Sequence, residues 1–379
     1  MQDAAYGTLR HLGSLRACLS QLVRQPLQSM LESLLLVAIY QLQHSRAAPH
    51  AVVDNAVGCA PAIGAGAAKG LVNAVLRTFL RDRDQVVERS RATEEGRFSY
   101  PVWWIEKVRL QYPTNWAAIL EAGNEHPPFT LRVRLNRTTP EACLKMLEQA
   151  GLEARQTGPA ALTLVHAVPV SELPGFAAGL VSVQDGGAQL AAPLLDARDG
   201  QRVLDACAAP GGKATHILEL AAVRLVALDR GGPRLQQVRE NLTRLGLTAE
   251  VVRGDAALPG QWWDGRPFDR ILADVPCSAS GVVRRHPDVK WLRRPRDIAG
   301  FAANQSALLD ALWQTLTRGG KLLYVTCSVF REENQEQADR FLSHHRDARR
   351  VPVSALPEDG MLLPDHAHDG FFYALFEKD

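Results

Sequence analysis

Two cysteines, each followed by a serine, are the residues of this sequence best suited to nucleophilic chemistry. One lies in Asp274-Val-Pro-Cys277-Ser278 and the other in Thr326-Cys327-Ser328, and each group follows an apolar run typical of a buried strand. A free cysteine is more often a small core side chain than a nucleophile, which is our interpretation of Cys18, Cys59 and Cys143. Because polar residues flank Cys277 and Cys327, we predict that both thiols line a reactive site.

A glycine-rich turn and two further carboxylates indicate a bound cofactor. The stretch Asp205–Lys213 reads Asp-Ala-Cys-Ala-Ala-Pro-Gly-Gly-Lys and leads from a strand into a helix, where glycine lets the chain approach a ligand and the helix offers free N–H groups. This stretch matches neither the Walker A phosphate-binding loop nor the G-x-G-x-x-G fingerprint of dinucleotide-binding proteins. Asp229 could bind a ribose diol and Asp255 an adenine amino group, although such residues also cap turns. Together they favour an adenosine-type cofactor.

Alternating strands and helices after residue 193 must position these side chains. The predicted strands are Arg202–Leu204, Leu225–Leu228, Glu250–Val252, Arg270–Ala273 and Lys321–Val325. This order predicts a mostly parallel sheet with helices on both faces, and ligands of such sheets bind at the carboxyl ends of the strands. We therefore assign residues 193–379 to one α/β domain.

The preceding half of the chain divides into a helical front and a small mixed module. Apolar residues recur at helical spacing within 1–85, and 86–127 forms a helical linker. Alternation beginning at Phe129 predicts a strand, and Thr139 starts a helix that stops at Gly151. Residues 128–192 are thus predicted to form a small α/β module.

Composition excludes several other classes. Of 379 residues, 46% are hydrophobic and 22% charged, as in folded globular proteins. The longest apolar run, Leu34–Tyr40, is far short of the roughly 20 residues of a membrane span, and no secretory signal opens the chain, so we predict a cytoplasmic protein. No C-x-x-C pair or histidine cluster predicts a metal site, and nothing indicates an obligate oligomer, so we expect a monomer.

The motif series resembles that of S-adenosylmethionine-dependent RNA cytosine-C5 methyltransferases of the NOL1/NOP2/Sun family. The match is closest to the bacterial small-subunit rRNA subfamily known as RsmB, Sun or Fmu, on Asp205–Lys213, Asp229, Asp255, Asp274–Ser278 with Gly281, and Thr326–Ser328. The resemblance implies a Rossmann-like methyltransferase domain preceded by a shortened, all-α NusB-like domain and a small RNA-binding module. One departure is Val275, where the family usually has alanine.

The resemblance also implies a mechanism. Cytosine C5 is a poor nucleophile, and addition of a thiolate at C6 makes it enamine-like and able to accept a methyl group. The family's nucleophile corresponds to Cys327, Cys277 is assigned to product release, and Asp274 faces the cytosine or the cofactor. S-adenosylmethionine is expected to contact Cys207, Ala208, Ala209, Pro210, Gly211, Gly212, Lys213, Asp229, Asp255 and Asp274.

A basic segment after the Pro-Cys motif is the predicted RNA contact. Residues 284–297 hold six Lys or Arg and two Asp, a net of +4, against +2 for the whole chain. We expect phosphate contacts and base stacking with small-subunit rRNA, in a single-stranded loop where a base is readily extruded. A solvated loop is the alternative. The expected contacts are Arg284, Arg285, His286, Lys290, Trp291, Arg293 and Arg294.

Two other functions stay open at this stage. A ribosome-assembly protein that binds RNA on a methyltransferase fold without turnover is one, although the intact cysteines and acids argue against it. A DNA cytosine-C5 methyltransferase is the other, and in that class the Pro-Cys residue, here Cys277, is the nucleophile.

Overall fold

The computed structural model describes residues 2–354 and 356–379, which form two compact units. The helical unit comprises the chain up to Glu125 together with Val283–Pro295, and the α/β unit comprises His126–Val282 and Arg296–Asp379. Within the described residues, no helix is both long and apolar enough to cross a membrane.

The helical unit is built from amphipathic helices that enclose one apolar core. Leu35 and Ile39, from the predicted apolar stripe, pack with Val72 and Phe79 and are fully buried. Val102–Gln111 and Trp116–Ala122 continue the helical fold where a linker was predicted. The helices are α1 (Gln2–Arg10), α2 (Leu12–Leu22), α3 (Ser29–His44), α4 (Pro49–Cys59), α5 (Lys69–Arg81), α6 (Arg83–Ser90), α7 (Glu94–Phe98), α8 (Val102–Gln111) and α9 (Trp116–Ala122).

The α/β unit begins with a small antiparallel sheet. It contains β1 (Phe129–Val133), α10 (Pro140–Gln149), β2 (Ala154–Gln156), β3 (Ala161–Leu164) and β4 (Val181–Val183), with strand order β2-β3-β1-β4. The hydroxyl of Thr139 accepts a hydrogen bond from the backbone N–H of Ala142, so the predicted helix start is confirmed. The sequence analysis did not identify β2, which is short and largely exposed.

A large mixed sheet follows. The elements along this part of the chain are α11 (Ala191–Leu195), β5 (Arg202–Asp205), α12 (Gly212–Leu220), β6 (Arg224–Asp229), α13 (Gly232–Leu245), β7 (Glu250–Arg253), β8 (Phe268–Asp274), α14 (Val289–Leu292), α15 (Pro295–Thr315), β9 (Leu316–Thr326), α16 (Gln335–His344), β10 (Ala348–Val351), β11 (Met361–Leu362) and β12 (Phe371–Lys378). Of these, α14 belongs to the helical unit. The strand order is β10-β12-β9-β8-β5-β6-β7, with β11 paired to β12. Strands β9, β8, β5, β6 and β7 are parallel, as predicted.

The carboxyl-terminal strands were not predicted from the sequence. Phe371–Phe376 is an unbroken apolar run buried on both faces, so it lacks the alternation that marks a half-buried strand. It pairs antiparallel with β9 from Lys321 to Thr326. Strand β9 therefore lies inside the sheet, with β8 on its other side, and its end at Thr326 is held from both flanks.

A buried ion pair joins the small module to the large sheet. Arg132 of β1 is 1% exposed and donates to both carboxylate oxygens of Glu219 on α12, at 2.7 and 3.0 Å. It also donates to the carbonyl oxygen of Gly212, the first residue of α12. The module thereby fixes the helix that follows the glycine turn.

Candidate active site

The carboxyl ends of the parallel strands surround a cavity of about 470 Å³. Parallel strands deliver their end residues to one edge of a sheet, which is why side chains more than a hundred residues apart in sequence meet there. The cavity brings together these sequence-predicted residues: Cys207, Ala209, Asp229, Asp255, Asp274, Cys277 and Cys327.

One half of the cavity has the features that an adenosine-type cofactor requires. Gly211 has φ +102°, and a Cβ there would lie 3.2 Å from Cα of Val238, so only glycine fits this turn. The carboxylate of Asp229, at the end of β6, accepts hydrogen bonds from the backbone N–H groups of Ala209 and Gly231 and lines the cavity. These bonds fix a buried carboxylate at a strand end, where a ribose would bind.

Other residues of the predicted cofactor set support the turn or lie beside it. Asp255 lines the cavity while its carboxylate accepts from the N–H of Ala257. Asp205 is fully buried, and burial together with the neighbouring Asp274 raises its pKa to about 7. Residues of the predicted set that do not line the cavity themselves are Ala208, Pro210, Gly211, Gly212 and Lys213.

The two cysteines from the Pro-Cys and Thr-Cys-Ser motifs meet in the other half of the cavity. Sγ of Cys277 lies 3.3 Å from Sγ of Cys327. The hydrogen bond to Cys327, burial, and the neighbouring charges of Cys327 and Glu333 hold the pKa of Cys277 well above its usual value. The raised pKa favours the protonated thiol of Cys277, and a hydrogen bond links the two sulfurs.

A lysine–aspartate pair stands beside Cys327. Nζ of Lys213 donates to Oδ2 of Asp274 at 2.5 Å. Burial alone would lower the pKa of Lys213, but the negative charges of Asp274 and of the Cys327 sulfur raise it overall. The sequence analysis identified no cationic partner for Cys327, and Lys213 is a cation whose charge interacts with that of the Cys327 sulfur.

A buried carboxylate links the loops that carry the two cysteines. Oε1 of Glu333 accepts from the backbone N–H of Ser278 at 2.8 Å and from Nε2 of Gln305 at 3.1 Å. Oε2 accepts from the hydroxyl of Ser328 at 2.6 Å. Since Ser278 follows Cys277 and Ser328 follows Cys327, one side chain holds both loops.

Further hydrogen bonds complete this buried network. Ser280 lies 2.9 Å from the Ser328 hydroxyl and accepts from the N–H of Val329. Asn334 donates to the carbonyl oxygen of Ser328 and accepts from the hydroxyl of Thr326. The network fixes the backbone on both sides of Cys327.

Sequence reasoning missed Glu333 and Asn334. The only available signal was their adjacency, an acid and an amide five to eight residues after the Thr-Cys-Ser motif, in a stretch that otherwise reads as a charged surface turn. Their burial, at 0% and 2% exposure, comes from tertiary packing.

Gly281, which belongs to the motif series of the family, lets the backbone segments at Cys327 and Gly370 approach it closely. Its N–H donates to the carbonyl oxygen of Cys327, and its own carbonyl oxygen accepts from Gly370. A Cβ at Gly281 would lie 2.3 Å from the carbonyl oxygen of Gly370 and 3.0 Å from that of Cys327. The position therefore excludes a side chain.

The predicted RNA-binding segment divides into buried and accessible residues. Lys290 and Arg284 are 0% and 1% exposed and lie within the helical unit. Nζ of Lys290 donates to the carbonyl oxygen of Arg10 and to Oδ1 of Asn124, and the indole N–H of Trp291 donates to the carbonyl oxygen of Leu9. Charges enclosed in this way cannot reach a phosphate, so the RNA-contact hypothesis does not extend to Arg284 and Lys290. The remaining predicted contacts are partly or fully exposed: Arg285, His286, Trp291, Arg293 and Arg294.

The described part of the chain contains no cluster of three or more His, Cys, Asp or Glu side chains arranged to hold a metal ion.

Comparison with protein-family models gives matches over three consecutive parts of the chain. Residues 1–81 match the NusB family, and residues 100–171 match the ferredoxin-like domain of RsmF/B-like methyltransferases. Residues 192–377 match the model described as 16S rRNA methyltransferase RsmB/F.

Individual proteins show the same similarity over the full length. Ribosomal RNA small subunit methyltransferase B of Serratia proteamaculans (strain 568) is 44% identical over 386 residues, covering 100% of this chain and 90% of that protein. The solved structure of PH0851 is 26% identical, with a TM-score of 0.84, and the match covers 100% of this chain and 89% of that one. A methyltransferase homologue from Pyrococcus horikoshii is also 26% identical, with a TM-score of 0.66 over 75% of this chain and 97% of its own.

Proposed function

Because the chain belongs to the family of 16S rRNA methyltransferases RsmB/F, we propose that it methylates C5 of a cytosine in small-subunit rRNA through a covalent adduct on Cys327. S-adenosylmethionine is the methyl donor, and when bound it supplies a methyl group on a positively charged sulfur. The observation that carries the proposal is the pair of thiols, 3.3 Å apart, that line the cavity together with Asp274, the hydrogen-bond partner of Lys213.

Cofactor binding is assigned to the glycine turn and the carboxylates around it. The donor's adenosine would bind along Asp229 and Asp255, and its methionine end would lie toward Asp274 and the glycine turn. Gly211 leaves room for this approach, and the start of α12 directs N–H groups toward it. These residues hold and orient the donor.

The thiols divide the covalent work. The Cys327 thiolate, stabilised by the Lys213 ammonium, adds to C6 of the cytosine, and the electron pair of the C5–C6 double bond then takes up the methyl group at C5. Transfer of the methyl group breaks its bond to the donor's sulfur, which is left as a neutral thioether, and loss of the C5 proton to solvent water then restores the C5–C6 double bond and expels the Cys327 sulfur as a thiolate. The thiol of Cys277 donates a hydrogen bond to the departing sulfur, which favours release.

This division disfavours a DNA cytosine methyltransferase, in which the Pro-Cys thiol would be the nucleophile. That thiol is Cys277, and its hydrogen bond to Cys327, its burial and the neighbouring charges hold its pKa well above the usual value, which disfavours a Cys277 thiolate. The intact pair also argues against a protein that binds RNA without turnover.

We further propose that the substrate cytosine lies in a single-stranded loop and that the enzyme acts as a monomer. A base inside a duplex must be extruded before a thiol can reach C6, and loops lower that cost. The accessible basic residues Arg285, Arg293 and Arg294 suit contacts with the flanking phosphates.

Bisulfite mapping of small-subunit rRNA tests the proposed function. Cells that lack the protein are expected to lose 5-methylcytosine at one position, and a plasmid encoding the wild-type chain should restore it. The Cys327→Ala variant should not restore it. An identical 5-methylcytosine pattern with and without the protein would contradict the substrate and the reaction.

A further inference from the structure

Glu333 has no part in the reaction as described above, yet it is a fully buried acid close to both thiols. It lies in the turn Arg331–Glu333 between β9 and α16. A buried carboxylate is costly to desolvate, and a fold retains one where hydrogen bonds compensate or where its charge is used. Glu333 meets both conditions.

The geometry shows which parts of the site depend on Glu333. Its two oxygens accept hydrogen bonds from the loop after β8, through the Ser278 N–H, and from the loop after β9, through the Ser328 hydroxyl. Gln305 of α15 donates both to Glu333 and to the carbonyl oxygen of Pro276, directly before Cys277. The separation of the two sulfurs is thus set by bonds that converge on one carboxylate.

The hydrogen bonds around Glu333 are those expected of an ionised carboxylate, which only accepts. The groups that contact the Glu333 carboxylate are an amide N–H, a side-chain N–H and a hydroxyl, and each of them can donate. Burial raises the pKa of Glu333, while the hydrogen bonds from Ser278 and Ser328 act in the opposite direction. Its negative charge is one of the causes that raise the pKa of Cys277.

We propose that Glu333 is a positioning residue that keeps the Cys277 thiol aligned with Cys327 and in its protonated form. This role rests on the proposed function, in which Cys327 attacks and Cys277 donates to the departing sulfur. Lys213 and Glu333 then make two chemically identical thiols unequal: a cation stands beside the nucleophile and an anion beside the donor. Removing the Glu333 charge would make Cys277 more nucleophilic and less able to donate.

The test compares Glu333→Gln with Glu336→Gln, which removes an exposed carboxylate three residues further along the same segment. Three quantities are measured on the full-length protein: the dissociation constant for S-adenosylmethionine, the single-turnover rate of methyl transfer to rRNA, and the iodoacetamide reactivity of each cysteine by mass spectrometry. Glu333→Gln should leave the dissociation constant unchanged and lower the rate by about a hundredfold, as expected for a misplaced reacting group. Alkylation of Cys277 should rise several-fold, because the thiolate is the reactive form.

A second variant separates charge from alignment. Ser328→Ala removes the bond between Glu333 and the Cys327 loop but leaves the carboxylate in place. It should lower the single-turnover rate while Cys277 alkylation stays at the wild-type level. If thermal unfolding shows that Glu333→Gln does not fold, the single-turnover rate of Ser328→Ala alone tests whether Glu333 aligns the two cysteine loops.

The outcomes distinguish this inference from the proposed function. A Glu333→Gln protein with the rate and the alkylation pattern of Glu336→Gln would overturn the role of Glu333, as would an unchanged rate in Ser328→Ala. If the wild-type protein itself forms no 5-methylcytosine, the proposed function fails. The alkylation comparison needs no RNA, and a selective gain at Cys277 would still support the electrostatic role of Glu333, whereas no gain would overturn it.

Discussion

The two thiols of the cavity differ in their burial and in the charges around them. Lys213 stands beside Cys327, whereas Cys277 is buried, hydrogen-bonded to Cys327 and close to Glu333. Burial without a cation disfavours a thiolate, and a nearby ammonium favours one. The family resemblance assigns the nucleophile to Cys327, and this asymmetry supports that proposal.

Substitution of each cysteine is expected to give a different defect. Cys327→Ala should abolish covalent capture of RNA, because no thiolate remains to add to C6. Cys277→Ala should accumulate the RNA–protein adduct, because the departing sulfur of Cys327 loses its hydrogen-bond donor. Denaturing gel electrophoresis with labelled rRNA detects the adduct as a shifted band.

Cys143 provides a matched control for this pair. It is a buried cysteine in the small module, remote in sequence from both motifs, and Cys143→Ala should behave as the wild type in adduct formation and release. An adduct that is lost in Cys277→Ala and retained in Cys327→Ala would reverse the two roles.

At the scale of elements, the loop after β8 packs closely against the backbone that follows β9. Gly281 donates to the carbonyl oxygen of Cys327 and accepts from Gly370, so three backbone segments meet where a Cβ would collide. This contact holds the backbone at Cys327 in addition to the Glu333 network. A glycine is required here by space rather than by a positive φ angle.

Gly281→Ala is therefore expected to displace the Cys327 loop. The single-turnover methylation rate should fall by about a hundredfold, in line with the effect of an ångström-scale shift of a reacting group. The dissociation constant for S-adenosylmethionine should change much less, because the glycine turn at Gly211 and the Asp229 carboxylate lie on other strands. Isothermal titration and single-turnover assays measure the two quantities.

Gly300→Ala is the matched control, since a Cβ at that exposed position of α15 would meet nothing within 4 Å. Alanine in a helix is favoured over glycine, so this variant should be as stable as the wild type or slightly more stable. Equal methylation rates in the two alanine variants would show that the Gly281 contact does not position Cys327.

At the scale of the whole molecule, a basic segment of the catalytic half is built into the helical unit. Val283–Pro295 belongs to the same compact unit as residues 1–125. Lys290 forms its buried anchor: it bonds to Arg10 and Asn124, and Nζ lies 4.3 Å from the ring centroid of Tyr100. Burial is the main cause that lowers the pKa of Lys290 well below its usual value, and the positive charge of Arg10 lowers it further.

Lys290→Met is expected to destabilise the protein rather than to weaken RNA binding directly. The substitution leaves the carbonyl oxygen of Arg10 and Oδ1 of Asn124 without this donor, which costs about 1–3 kcal/mol per unsatisfied buried group. Thermal unfolding should show a lower melting temperature for the variant.

Arg294→Gln, in the same segment but exposed, is the paired variant. It should leave the melting temperature unchanged, weaken rRNA binding and reduce the salt dependence of binding, because a phosphate contact releases counterions. The opposite pattern, with stability lost in Arg294→Gln and RNA binding in Lys290→Met, would contradict this division of the segment.

Much of the fold and the chemical motifs could be predicted because they depend on local sequence. Strands β5 to β9 follow from apolar runs that end in polar residues, and the start of α10 follows from the Thr139 cap. Strand β12 is also an apolar run, Phe371–Phe376, but it lies outside the alternation of strands and helices from which the parallel strands were predicted.

The sequence by itself determined which chemistry this protein carries: Cys277, Cys327, the glycine turn and the strand-end acids lie in short motifs whose residue types are readable in order. Tertiary structure alone decided how these groups share the work. Burial and charge at one atom sum over residues distant in the chain, so only the folded protein sets Lys213 beside Cys327, joins both cysteine loops to Glu333, and encloses Arg284 and Lys290 while leaving Arg294 exposed.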